Sequence, residues 1–186
     1  VLVIIAAFRA EPLVIVGSVL YGLSLITLYA ASTVYHGSTS PLKRKLQVLD
    51  HCCIYLLIAG SYTPFAIVLA DRWLGRGLLI TVWTMAVAGV LAKLLFGDRF
   101  KIVSVLSYLA MGWLGVVAIE PLIDALGYAP IALVVAGGLA YSIGVIFFAW
   151  KRFRHHHAIF HVFVLAGSIL HYFAIVLYVV PGKAHI

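Results

Sequence analysis

The sequence predicts an all-α integral membrane protein: a bundle of seven transmembrane helices, the first truncated in this numbering, with the N-terminus cytoplasmic and the C-terminus outside. Three observations carry this reading. Of 186 residues, 65% are hydrophobic and only 10% are charged, against roughly 25% charged in an average soluble domain. So few polar side chains cannot cover a soluble surface, which excludes an ordinary soluble enzyme, a disordered chain and a nucleic-acid-binding module. The apolar residues also gather in runs close to the ~20 residues that a spanning helix needs. Finally, those runs are evenly apolar, without the alternation of barrel strands, and helices satisfy their own backbone inside lipid.

The first run, residues 1–8, would reach only about 12 Å as a helix, while the hydrocarbon core is about 30 Å thick. It reads as the remainder of a truncated helix, and no cleavable signal peptide is visible. Full spans are expected at 13–36, 48–70, 76–96, 102–119, 128–149 and 157–180, making residues 1–186 a single seven-helix membrane domain. Pro12, Pro41, Pro121, Pro130 and Pro181 fall at helix ends, where a missing N–H does little harm. Pro64 lies inside the third run and predicts a kink. Cys52 and Cys53 are adjacent in an apolar run and read as two buried thiols rather than a disulfide.

Loop charge orients the bundle. The loops after the second, fourth and sixth helices hold nine basic residues: Lys43, Arg44, Lys45, Lys93, Arg99, Lys101, Lys151, Arg152 and Arg154. The opposite side holds four, Arg9, Arg72, Arg76 and Lys183, together with the acidic Glu120 and Asp124. Basic loops stay cytoplasmic. The net charge of +7 therefore speaks for membrane topology rather than for a nucleic-acid partner.

Ionisable residues inside spans are costly and ask for a reason. His36, Asp50, His157 and His161 stand out. The second helix ends on the cytoplasmic side, and the third and seventh start there, so these four residues share one membrane layer. His157 and His161 are four apart, on one helix face, a spacing that lets two imidazoles chelate one ion. His36 would supply a third. Three neutral nitrogen ligands with an open fourth position form a catalytic zinc pattern. Zinc lowers the pKa of its water to about 7, and Asp50 is placed to move that water's proton. Ser32, one turn before His36, could orient the water or a substrate carbonyl.

Plainer explanations exist for each residue alone. A histidine pair at the interface can simply be solvated, and so can His36. A negative charge such as Asp50 suits the first turn of a helix. Their conjunction at one depth favours the metal. His155 and His156 follow Arg154 in a basic loop and read as interfacial, although either could substitute as a ligand. His51 points about 100° away from Asp50. His171 lies about 15 Å deeper than His161, too far for the same ion; it either lines a substrate cavity or is a hydrogen-bonded core histidine. Tyr29, Ser32 and His36, then Asp50, Ser61 and Pro64, then Ser168 and His171 make three inward polar stripes.

Ser32-Thr33-Val34-Tyr35-His36, Asp50, Ala59-Gly60-Ser61-Tyr62-Thr63-Pro64-Phe65 and His157-Ala158-Ile159-Phe160-His161 together resemble the bacterial hemolysin III proteins, within the progestin and adipoQ receptor family. The likeness covers nearly the whole chain. It implies a seven-helix bundle in the cell membrane, Zn2+ held at His36, His157 and His161, Asp50 and Ser32 around the metal water, and, through the wider superfamily, hydrolysis of lipid amides such as ceramide. The chain departs from the family pattern at its start, where the acidic and Asn/His motif of the first helix is not seen. The expected function is a zinc-dependent hydrolase of an amide or ester bond in a membrane lipid, linked to lipid homeostasis. The alternatives are a zinc-stabilised sensor without turnover and a haemolysin-type pore. The expected partners are the bilayer and a lipid substrate, with no nucleic acid.

Overall fold

The computed structural model describes residues 2, 6–7, 11–39, 41–150, 152 and 154–181. The first expected run, 1–8, falls mostly outside the described residues. Seven α-helices follow: α1 (Pro12–Gly37), α2 (Lys43–Val68), α3 (Trp73–Phe96), α4 (Lys101–Trp113), α5 (Ile119–Leu126), α6 (Tyr128–Ala149) and α7 (His156–Ala174). A 3-10 segment, Leu114–Ala118, joins α4 to α5, and a π-helical turn, Ile175–Val179, extends α7. With α4 to α5 taken as one segment, six helices among the described residues are long and apolar enough to cross a membrane. No strand occurs among the described residues.

Local chemistry sets the helix ends. Pro12 opens α1 at a position that needs no N–H donor. Gly97 (φ 57°) and Gly127 (φ 84°) take left-handed conformations that end α3 and separate α5 from α6. The second full span starts at Lys43 rather than 48. Long basic side chains keep their charged heads in water while their stems follow the helix, so Lys43, Arg44 and Lys45 extend the helix into the interface.

The span expected at 102–119 differs more. It tightens into the 3-10 segment after Trp113, then continues as helix past Glu120 and Pro121 to Leu126. The Tyr62 hydroxyl, from α2, explains how lipid tolerates this. It accepts the Gly115 N–H at 2.8 Å and donates to the Gly112 carbonyl at 2.7 Å. Backbone groups released from the α pattern inside a bilayer must find such partners.

The bundle is organised around α2. Just over half of its spanning window, 56%, is buried, against 11–28% for the other spans. Helix α2 packs between α1 and α3, and α6 packs along α7. Large apolar side chains such as Leu23, Ile26, Ile80, Leu95 and Ile102 are exposed on the outside. That would be an aggregation hazard in water and is the normal surface toward lipid.

Inside, polar stitches cross between helices. Tyr29 (α1) donates to the Ser168 hydroxyl (α7) at 3.0 Å, Tyr141 (α6) meets that hydroxyl at 2.9 Å, and Tyr21 donates to the Ser168 carbonyl at 3.2 Å. Successive spans alternate in direction, so the basic segments after α1, α3 and α6 share one end. The Lys101 ammonium at the start of α4 lies 4.9 Å from the Phe148 ring centroid near the end of α6. By loop charge, this end is cytoplasmic.

Candidate metal centre

His36 sits in the last turn of α1, and His157 and His161 sit one above the other in the first turns of α7. The fold brings these helix ends together at the basic end of the bundle. The Nε2 atoms of the three rings converge, with separations of 3.3 Å (His36–His157), 3.2 Å (His36–His161) and 3.2 Å (His157–His161). Phe148 and Phe160 pack against the His157 ring, and Phe160 also flanks His161. His36 is exposed, while the other two are half-buried.

The donor set suits a metal ion. Three neutral imidazoles facing one another through the same nitrogen cannot satisfy all three contacts by hydrogen bonding, because each ring nitrogen either carries a proton or offers a lone pair. One cation between three lone pairs resolves the conflict. A tetrahedral zinc with Zn–N near 2.1 Å separates its nitrogen ligands by about 3.4 Å, and the observed triangle of 3.2–3.3 Å lies close to that. Three protein ligands leave the fourth position open, as in catalytic rather than structural zinc sites.

Asp50, in the second turn of α2, is buried at 7% exposure. Ser32 and His36 both lie within electrostatic reach of its carboxylate. Asp50, Ser32 and His161 line one cavity of about 160 Å³ that runs inward from the triad. Its deeper walls include Tyr29, Ile54, Val164 and His171. A carboxylate, a hydroxyl and an imidazole thus face the same largely apolar space. His155 and His156 stand outside the triad; His155 adopts φ 60° just before α7. The His171 Nε2 lies 3.1 Å from the Val134 carbonyl, a contact in which the ring donates, and its side chain lines the cavity.

A second polar cluster escaped the sequence reading. Lys93, counted there with the loop, lies within α3 and is 2% exposed. Its ammonium is 2.7 Å from an Asp98 carboxylate oxygen, and His51 Nδ1 is 3.1 Å from the same oxygen. Tyr108 donates to the His51 carbonyl at 3.0 Å. Partial burial raises the Asp98 pKa, but the Lys93 hydrogen bond and the neighbouring charges outweigh it and hold the carboxyl below the usual range. An available signal was a lysine inside an apolar run, followed by an acidic residue just past the glycine that ends the helix.

This geometry joins a likeness that spans the chain. The family model described as haemolysin-III related matches residues 1–172. The chain belongs to the haemolysin-III-related family. It is 43% identical over 182 residues to a hemolysin-3 of Bacillus cereus, covering 97% of this chain and 83% of that one. The hemolysin-3 homolog of Bacillus subtilis is 42% identical over 180 residues, covering 96% of this chain and 84% of that protein. The monocyte to macrophage differentiation factor of Homo sapiens is 32% identical over 164 residues, covering 84% of this chain and 67% of that one. These relatives tie the haemolysin-III fold to the wider progestin and adipoQ receptor family. The protein is a multi-pass membrane protein with a three-histidine cluster able to hold a metal ion.

Proposed function

We propose that this haemolysin-III-related protein is a zinc-dependent hydrolase of an amide or ester bond in a membrane lipid. The observation that carries the reading is the convergence of three imidazole nitrogens at the mouth of a largely apolar cavity that is also lined by a buried carboxylate. His36, His157 and His161 would hold the ion. When bound, zinc supplies Lewis-acid polarisation of a carbonyl and acidifies a water to near-neutral pKa.

The chain's own groups do the rest. Asp50 takes a proton from the attacking water and returns it to the leaving nitrogen or oxygen. Ser32, which lines the same cavity, is placed to orient the water or the substrate carbonyl. The apolar walls exclude bulk water, which strengthens these electrostatic contacts. A lipid reaches the site sideways from the inner leaflet, where the triad lies.

The test pairs metal content with turnover. Purified protein is expected to carry one zinc, to release a fatty acid from a lipid amide or ester, and to lose both properties in His157→Ala. Zinc retained with no product from any lipid amide or ester overturns hydrolysis in favour of a metal-stabilised sensor. The name of the Bacillus relatives raises a pore as a second possibility. The mostly apolar lining of the cavity speaks against an ion path; ion flux in liposomes that persists after zinc is stripped would reverse that judgement.

A further inference from the structure

Two lysines from different helices flank the triad, each one aromatic ring away from a different histidine. The Lys43 ammonium, at the start of α2, lies 5.7 Å from the Tyr35 ring centroid, and that ring packs on His36 at 4.5 Å. The Lys101 ammonium, at the start of α4, lies 4.9 Å from the Phe148 centroid, and that ring packs on His157 at 6.1 Å. Both rings are half-buried and both lysines are exposed. A ring under the ammonium fixes the long side chain in place and leaves its protons free to donate.

Nothing acidic neutralises this end. The chain has six acidic residues, of which Asp50 and Asp98 lie here. Asp50 is buried and lines the cavity, and one Asp98 oxygen is held by Lys93 and His51. Lys43, Arg44, Lys45, Arg99 and Lys101 therefore have no acidic partner among the described residues. Topology explains which side of the membrane these cations occupy. It does not explain why two of them are held at two corners of the triad.

The electrostatics of the mouth call for an anion. Three neutral imidazoles bring no charge, so Asp50 alone offsets a divalent ion held there. The Lys101 charge also reaches His157. Like charges so close repel one another, and an anion lying between the two ammonium groups relieves that repulsion. Depth narrows the choice. Lys43 is seven residues before Asp50, about 10 Å nearer the cytoplasm along the helix. That is the layer of the lipid headgroups, outside the hydrocarbon core, where basic side chains between helices hold lipid phosphates.

We propose that Lys43 and Lys101 hold the phosphate of the substrate's headgroup, so that the lipid cleaved at the triad is a phosphate-bearing acyl ester. The proposal rests on the lipid-hydrolase reading and specifies its substrate class. In the reaction the acyl C–O bond breaks, water supplies hydroxyl to the acyl carbon and a proton to the departing alcohol oxygen, and the phosphate stays intact between the lysines.

The experiment uses the full chain in detergent, zinc-loaded and chelator-stripped. Retention of radiolabelled diacyl phosphatidylglycerol is compared with that of diacylglycerol with the same acyl chains, and fatty-acid release from each is followed in parallel. The wild type is expected to retain the phospholipid at least tenfold better. Lys43→Gln and Lys101→Gln should each weaken its retention by roughly fivefold, the effect of one basic side chain beside an anionic headgroup, and together should remove most of the preference. The same loss is expected in stripped protein, because the lysines and not the ion supply it. Diacylglycerol retention, zinc content and thermal midpoint stay as in the wild type. Arg44→Gln with Lys45→Gln removes the same charge from the neighbouring loop and should leave the preference intact. Equal retention of both lipids by the wild type, an equal loss in the Arg44 and Lys45 double variant, or displacement of the phospholipid by millimolar inorganic phosphate overturns the headgroup site. Lysine-dependent retention without release of fatty acid would instead overturn the hydrolase reading and leave the headgroup site standing.

Discussion

His36 and His161 are 125 positions apart in the chain, yet their Nε2 atoms lie 3.2 Å from each other. Two half-buried or exposed imidazoles gain little from such an approach unless a cation joins them. Bound ligand stabilises the folded state by mass action, by about 2.7 kcal/mol when its free concentration is a hundred times Kd. Added zinc is therefore expected to raise the thermal midpoint of the detergent-solubilised protein, and a chelator to remove the increment. His36→Ala, His157→Ala or His161→Ala should each abolish the response. A midpoint that follows zinc equally in all three variants would show that the ion binds elsewhere.

Asp50 separates chemistry from metal binding. It is buried, lines the same cavity as Ser32 and lies outside the three-nitrogen triangle. Asp50→Asn keeps the shape but cannot carry a proton. Loss of a positioned acid–base group typically removes a factor of about 10²–10⁴ in rate. The expected result is near-normal zinc content with turnover down by that order. Ser32→Ala should cost less, because it removes a neighbouring hydroxyl and leaves the carboxylate in place. Substantial loss of zinc from Asp50→Asn, measured by metal analysis, would make the carboxylate a ligand instead.

What the sequence revealed follows from where the information is local. Span positions come from runs of apolar residues, and the meeting of His36 with His157 and His161 comes from helix direction combined with an i, i+4 pair on one face. Neither needs knowledge of packing. The break at Leu114–Ala118 was not legible, because its stabilising partner is the Tyr62 hydroxyl, about 50 residues earlier on another helix. Lys93 and Asp98 were missed for a related reason. Hydropathy assigns a lysine near a helix end to the loop, while only the fold shows that its ammonium is buried against a carboxylate beyond Gly97. The chain of hydroxyls Tyr29–Ser168–Tyr141 was visible only as separate stripes until α1, α6 and α7 came together.

The Lys93–Asp98 pair predicts an acid-sensitive cytoplasmic end. Partial burial of Asp98 is outweighed by the Lys93 hydrogen bond and neighbouring charge, leaving its folded pKa below the unfolded value, which is near 3.9. Its contribution to stability is then fully present above pH ~4 and is lost as pH falls through the lower folded value. Asp98→Asn should lower the midpoint at neutral pH and flatten its decline on acidification. The cost is about 1–3 kcal/mol, because a buried ammonium loses its partner. Lys93→Met combined with Asp98→Asn should recover much of the loss, since removing both charges also removes the need to bury one. Thermal scans at neutral pH and near pH 3 measure both effects. An unchanged acid limb in Asp98→Asn would show that the pair does not hold this end.

Tyr62 is the residue on which the irregular span depends. Its hydroxyl is the bridge between the Gly112 carbonyl, where the α pattern ends, and the Gly115 N–H, where the 3-10 segment has begun. In Tyr62→Phe the ring remains, so the packing of α2 is kept, but one donor and one acceptor in the membrane interior lose their partner. A buried polar group left unpaired costs about 1–3 kcal/mol, and no water is at hand in the hydrocarbon layer to replace the hydroxyl. The segment is then expected to rewind toward a continuous α-helix from Lys101 to Leu126 or to open toward the cavity. Either response moves Gly112 and Trp113, which line the cavity below the triad. Tyr62→Phe should thus lower thermal stability and speed amide exchange at residues 112–118, while zinc content stays unchanged because the triad is far along the bundle. Exchange at 112–118 matching the wild type would show that the 3-10 segment is held by its own sequence rather than by Tyr62.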